Sequence, residues 1–205
     1  MRMMRCSVCI QAGGQSRRMG QNKALLRVAG KPLIQRVVER TAPLAAETLV
    51  ISADAAPYAF LGLPVLADLI PGQGVLGGLY TALASAQSEF VACVACDMPF
   101  VNPALLRAEL DLCVQTGVDV AIPRSENGLE PLHAVYRRET CLPLVRAALE
   151  AQQRRLVGWL DQARVRVLEA AETAVYDPGG TAFINLNTPE DLARAEALAA
   201  LEPGE

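Results

Sequence analysis

Gly13 and Gly14 are followed closely by Arg17, Arg18 and Lys23 in the stretch Gln11-Ala12-Gly13-Gly14-Gln15-Ser16-Arg17-Arg18-Met19-Gly20-Gln21-Asn22-Lys23. Paired glycines let a backbone approach a ligand closely and offer it N–H groups. Arginine grips phosphate in a fork, and lysine acts on it as a point charge. The spacing therefore reads as an anion site, with a solvated surface loop as the bland alternative. It matches neither G-x-x-x-x-G-K-[ST] nor G-x-G-x-x-G, which argues against a P-loop NTPase and against a nicotinamide-dependent dehydrogenase.

A second candidate is Asp97 in Cys96-Asp97-Met98-Pro99-Phe100. A single carboxylate facing bound phosphates suits Mg²⁺, which takes one or two carboxylates and completes its shell with phosphate oxygens and water. Without the glycine-arginine loop, the same residue would read as a turn or cap aspartate. The third stretch runs from Asp68 through Gly72, Gly74, Gly77 and Gly78 to Leu79. A loop in close backbone contact with a ligand and an ordinary strand-to-helix turn explain it equally well. His133 is the sole histidine, and a partly buried, hydrogen-bonded ring is expected of it rather than a catalytic one. The lack of a second histidine and of G-x-S-x-G argues against a serine-hydrolase triad. Trp159 follows Leu156 at helical spacing and reads as core.

The elements that must position these residues alternate strand and helix. Strands are predicted at 6–11, 48–53, 64–67, 90–95, 118–123, 130–137 and 165–168, the sixth of them following a turn at Asn127-Gly128. Helices are predicted at 32–41, 77–86 and 103–114, with two more between 141 and 163. A last helix should start at Thr188-Pro189-Glu190-Asp191, with Thr188 as cap, and run to about Leu201. Such alternation predicts an α/β fold with a mostly parallel sheet covered on both faces. First and fourth strands are often neighbours in doubly wound sheets, which would set Asp97 opposite the basic loop at the carboxyl edge.

With 205 residues, the chain suits one domain spanning 1–205. Its 52% hydrophobic and 20% charged content is that of a globular protein. The net charge of -3 disfavours nucleic acid as partner. No apolar run is long enough to span a bilayer. The apolar stretch after Arg5 is too short for a signal peptide, so a cytoplasmic location is expected. Cys6/Cys9 and Cys93/Cys96 have C-x-x-C spacing. Both pairs fall in strand-like runs, where residues three apart point to opposite faces, so they read as buried thiols rather than zinc ligands.

Taken in order, Ala12-Gly13-Gly14, Arg17-Arg18-Met19-Gly20, Lys23, Gly74-x-x-x-Gly78, Cys96-Asp97-Met98-Pro99-Phe100 and Asn185-Leu186-Asn187-Thr188-Pro189-Glu190-Asp191 resemble the molybdenum cofactor guanylyltransferase family over nearly the whole chain. The double glycine and the closing Asn-x-Asn-Thr-Pro separate this pattern from related cytidylyl- and sugar-nucleotide transferases, which more often carry Ala-Ala-Gly at the first motif. The resemblance implies a Rossmann-like three-layer α/β/α sandwich of the nucleotide-diphospho-sugar transferase type. It also implies GTP and Mg²⁺, and transfer of GMP to a molybdopterin phosphate with release of pyrophosphate. Carried over by motif, Arg18, Lys23 and Asp97 would be catalytic, and Asp97 would hold the metal. Gln11, Ala12, Gly13, Gly14, Lys23, Ser52, Asp68, Gly74, Gly78 and Asp97 would contact the nucleotide. Arg154, Arg155, Asn185 and Asn187 would face the pterin. Gln11 stands where family members usually have Leu, and Ser52 where they have Asn.

Such chemistry suits a chain with one histidine. A phosphate nucleophile with a second pKa of about 6 is already largely ionised at neutral pH and needs no strong base. The task is to bring two polyanions together in line, with cations and a metal stabilising the developing charge. The expected partners are GTP and molybdopterin, with transient contacts to other cofactor-biosynthesis or acceptor proteins. No nucleic acid or membrane is expected, and the chain is expected to be a monomer. A molybdenum cofactor cytidylyltransferase and a sugar-phosphate nucleotidyltransferase are the neighbouring readings. A non-catalytic nucleotide-binding regulator would need the loop but not Asp97.

Overall fold

The computed structural model describes residues 4–13 and 22–201. The strands are β1 (Cys6–Gln11), β2 (Arg27–Val28), β3 (Lys31–Pro32), β4 (Ala45–Ile51), β5 (Val65–Leu66), β6 (Phe90–Ala95), β7 (Val120–Ser125), β8 (Gly128–Leu129), β9 (His133–Arg137) and β10 (Val165–Leu168). The helices are α1 (Leu33–Thr41), α2 (Gly74–Ser85), α3 (Pro103–Thr116), α4 (Arg138–Glu150), α5 (Ala170–Thr173) and α6 (Pro189–Ala199). The main sheet runs β10-β7-β9-β6-β1-β4-β5, with β8 paired to β7. Neighbours are parallel except β9, which is antiparallel to both β6 and β7, and β8, which is antiparallel to β7.

β1 and β6 are buried at every position, as central parallel strands covered on both faces must be. Alternation along β1 sends Cys6, Val8 and Ile10 to one face, where Ile34 and Val37 of α1 and Leu105, Leu106 and Leu110 of α3 meet them. Cys9 points to the other face, against Leu76, Leu79 and Leu83 of α2 and Val145 of α4. Each fully buried Leu of these helices is worth roughly 1.5–3 kcal/mol of transfer free energy. Cys6 and Cys9 thus belong to different cores, and each is a buried free thiol. A third, smaller cluster joins α6 to the β2–β3 hairpin through Val28, Leu33, Leu186 and Ala195.

Local chemistry fixes the helix ends. Asn102 caps α3 with its side chain accepting from Ala104 N and Leu105 N, Pro103 follows, and Gly117 closes the helix at φ +71. Thr188 and Asp191 form a capping box at the start of α6.

Two predicted regions differ from those observed by more than their end residues. The residues after the Asn127-Gly128 turn do not form one strand: Gly128–Leu129 pairs back on β7, the chain breaks around Pro131, and β9 begins at His133. Only one α-helix, α4, lies between 138 and 163. Gln152 takes φ +58, a left-handed conformation that ends the helical path. Trp159 sits fully buried on a turn leading to the short 3₁₀ segment Leu160–Gln162, with its ring centroid 6.1 Å from that of Tyr136.

Candidate active site

The carboxyl ends of β1 and β6 lie side by side because Gln11 pairs with Ala95. The turn after each strand therefore opens on the same edge of the sheet. Cys96 N donates to Gln11 O at 3.1 Å, and Leu186 N donates to Asp97 O at 3.1 Å. These two bonds hold Asp97 between the end of β1 and the segment leading into α6. The buried side chains of Met98, Phe100 and Val101 anchor the turn from below.

A cleft of about 250 Å³ opens here, approaching the lower end of small-molecule sites. Gln11, Ala12 and Gly13 line it from β1, Asn22 and Lys23 from the next segment, and Cys96 and Asp97 from the β6 turn. Val75 and Leu132 close it. Tyr58 ties the two described edges of the glycine-arginine loop together. Its hydroxyl donates to Ala12 O at 3.3 Å and accepts from Asn22 Nδ2 at 3.0 Å. Asn22 also caps the 3₁₀ turn Lys23–Leu25 by accepting from Ala24 N. That Asx cap before a lysine was readable in the sequence; the role of Tyr58 carried no local signal.

Lys23 Nζ donates to Asn187 Oδ1 at 2.6 Å, and the Asn187 backbone is held in turn by the Asp191 carboxylate at 2.8 Å. Asn187 therefore contacts Lys23, which lines the cleft. Asn185 instead donates to Phe183 O at 3.2 Å. Burial pushes the Asp97 carboxyl above its ordinary value, and the Lys23 ammonium works against that shift. The cleft thus joins one half-buried carboxylate to one cation, with backbone exposed at the end of β1.

The remaining expected residues are distributed as follows. Ser52 and Asp68 lie just past β4 and β5 on the same edge, since Gln11 pairs with Ile51 and Ile51 with Leu66. The Ser52 hydroxyl accepts from Asp54 N at 3.4 Å. Burial raises the Asp68 carboxyl. Gly74 opens α2 at φ +59, and Gly78 packs against the Gln11 side chain. Arg154 and Arg155 are exposed beyond α4 and do not line the cleft. Gly14, Arg17 and Arg18 lie outside the described residues.

His133 is fully buried. Its Nε2 accepts from Asn102 N at 3.3 Å, which leaves the proton on Nδ1, 3.0 Å from Glu109 Oε1. Phe183 packs edge-on against the ring. The histidine supports the start of α3 rather than the cleft. Burial pushes the Glu109 carboxyl up to about 7, with His133 opposing, and its Oε2 is unpaired among the described residues. A carboxyl raised in the fold contributes stability below its unfolded pKa and loses it as pH rises through its folded one. The melting temperature should therefore fall from pH 5 to pH 8, and Glu109→Gln should flatten that slope. Identical slopes in thermal melts of the two proteins would contradict this assignment.

Residues 8–167 match the family model of the MobA-like NTP transferase domain. A protein of Pelotomaculum thermopropionicum named probable molybdenum cofactor guanylyltransferase is 36% identical over 96% of this chain and 95% of its own. The molybdenum cofactor guanylyltransferase of Desulfosudis oleivorans is 31% identical over 92% of this chain and 93% of its own. Among solved structures, molybdopterin-guanine dinucleotide biosynthesis protein A of Archaeoglobus fulgidus superposes with a TM-score of 0.82 at 28% identity, covering 95% of this chain and 98% of that one. The 2-C-methyl-D-erythritol 4-phosphate cytidylyltransferase of Thermus thermophilus shares the fold alone, with a TM-score of 0.72 at 21% identity over 97% of this chain and 100% of that one.

Proposed function

This chain belongs to the MobA-like NTP transferase family, and from that premise we propose that it is a molybdenum cofactor guanylyltransferase. It transfers GMP from GTP to the terminal phosphate of molybdopterin and releases pyrophosphate. The observation that carries the reading is the cleft in which the end of β1, Lys23 and Asp97 meet.

In this reading the backbone of Ala12 and Gly13 receives the nucleotide, and Lys23 neutralises its phosphates. Ser52, Asp68 and Gly74 border it from the same sheet edge. Asp97 would hold Mg²⁺, which stabilises charge on the α-phosphate and the departing pyrophosphate. The donor set fits that ion. No group of three or more His, Cys, Asp or Glu side chains among the described residues could hold a metal alone, and Mg²⁺ draws most of its shell from phosphate and water. Arg18 would add a second cation to the triphosphate. Asn187, held against Lys23, would face the incoming pterin phosphate from the α6 side, with Asn185 beside it. Arg154 and Arg155 would serve the pterin only from outside the cleft.

No described side chain in the cleft is an obvious strong base, and none is required for an acceptor that is already a phosphate dianion. The work of the residues is to align two anions and to keep their charges from repelling. The reading places the activity in a monomer. We place the reaction in the cytoplasm, and no helix among the described residues is long and apolar enough to cross a membrane. Contacts with acceptor enzymes would be transient.

Pyrophosphate release measured with each of the four NTPs, with and without molybdopterin, tests this reading. Release should require molybdopterin and GTP. Release with CTP but not GTP would overturn the choice of base, and release independent of molybdopterin would overturn the acceptor.

A further inference from the structure

We propose that Gln11 reads the nucleotide base through its side chain, its carboxamide Nε2 donating a hydrogen bond to the 6-oxo group of a purine. The proposal rests on the GTP reading above and adds to it a side chain that discriminates between purines.

Gln11 ends a strand whose other side chains are apolar or small, and it is only 7% exposed. Its Nε2 is buried with no hydrogen-bond partner among the described residues. An amide donor left unpaired in a protein interior is unfavourable. Leucine would fill the same place without that penalty. A donor kept at the wall of a cleft is accounted for if the ligand supplies the acceptor.

The neighbouring helix is built around this group. A Cβ at Gly78 would stand 2.7 Å from Gln11 Oε1 and 2.9 Å from Cδ, so the carboxamide lies there only because residue 78 is glycine. A change in its side-chain torsions, with β1 in place, would bring Nε2 to the ligand. The cleft's charged groups, Lys23 and Asp97, arrive on other segments and suit the phosphates. Gln11 is neutral, and Val75, Ala95 and Leu132 contribute apolar lining to the same cleft. A neutral amide there matches the edge of a neutral heterocycle. Guanine and hypoxanthine present an oxo acceptor at position 6. Adenine presents an amino group there, which would set donor against donor.

The test is calorimetric titration of Mg-GTP, Mg-ITP and Mg-ATP into the full chain without molybdopterin. Gln11→Leu should raise the Kd of GTP and of ITP about three- to tenfold, the worth of one neutral hydrogen bond, and leave that of ATP unchanged or lower, because the donor facing the adenine amino group is gone. Its melting temperature should be equal to or above that of the wild type, because an unpaired amide has been removed. Gly78→Ala displaces the carboxamide by a second route. It should reduce the GTP-to-ATP preference in the wild-type background and add nothing to it in the Gln11→Leu background. Unchanged preference in folded Gln11→Leu would overturn the proposal, as would equal weakening of all three nucleotides. A wild-type chain with no preference for GTP over ATP would overturn it together with the guanylyl reading. Turnover with molybdopterin is measured separately on the wild-type chain. Its failure, with the preference loss intact, would remove the transferase reading alone.

Discussion

Asp97→Ala is expected to lower turnover by at least about 10²–10³-fold, the usual loss when one group stabilising transition-state charge is removed. GTP affinity should change far less, because the nucleotide keeps the β1 backbone and Lys23. The fold should not suffer. Asp97 is held through its backbone carbonyl by Leu186 N, and its carboxyl is raised by burial, so the charged side chain sits where it is disfavoured. Groups retained against such a cost cluster at functional sites. Melting temperature and single-turnover rate measured on the same preparation separate the two effects. A stable variant with full turnover would show that Asp97 holds no catalytic metal. A variant that loses turnover only by unfolding would show that the residue is structural.

The second large effect is expected at Lys23. Removing a charge-assisted contact worth about 1.5–3 kcal/mol should raise the KM for GTP roughly 10- to 100-fold in Lys23→Ala. Lys23 also donates to Asn187 at 2.6 Å, so the loss should extend to the α6 side of the cleft. Asn187→Ala frees Lys23 while leaving its charge in place. It should therefore raise the KM for molybdopterin more than that for GTP. Steady-state kinetics with each substrate varied in turn would read this out. An unchanged GTP KM in Lys23→Ala would place the triphosphate elsewhere.

Much of this cleft was legible because its walls are the simplest parts of the chain. β1, β6 and β10 begin and end at the predicted residues. The buried runs of β1 and β6 are short, and polar or turn-forming residues bound them sharply. The β1–β6 pairing followed from doubly wound topology, and with it the approach of Asp97 to the end of β1. Longer elements blurred at their ends. α2 starts at Gly74 rather than at residue 77, since glycines near a loop hide the first helical turn. α3 runs to Thr116, two residues beyond its expected end, where Gly117 supplies the left-handed stop.

What was hidden depends on contacts between residues far apart in sequence or on very short elements. β2 and β3 are two residues each and carry no periodic signal. Leu156 and Trp159 have helical spacing, yet tertiary packing against Tyr136 satisfies them on a turn. The Lys23–Asn187 bond joins residues 164 positions apart, and nothing local predicts it. The same holds for Gly78: it falls at the start of a predicted helix, and only the structure shows that it makes room for Gln11.

The central claim is that this cleft joins GMP to molybdopterin, and the most direct measurement follows the atoms. The chain would be incubated with molybdopterin, Mg²⁺ and GTP labelled at the α-phosphate. The account predicts that the label moves into a molybdopterin adduct heavier by one GMP residue, with one pyrophosphate released per adduct. Label that remains in GTP, or that appears only in free GMP or GDP, would contradict it.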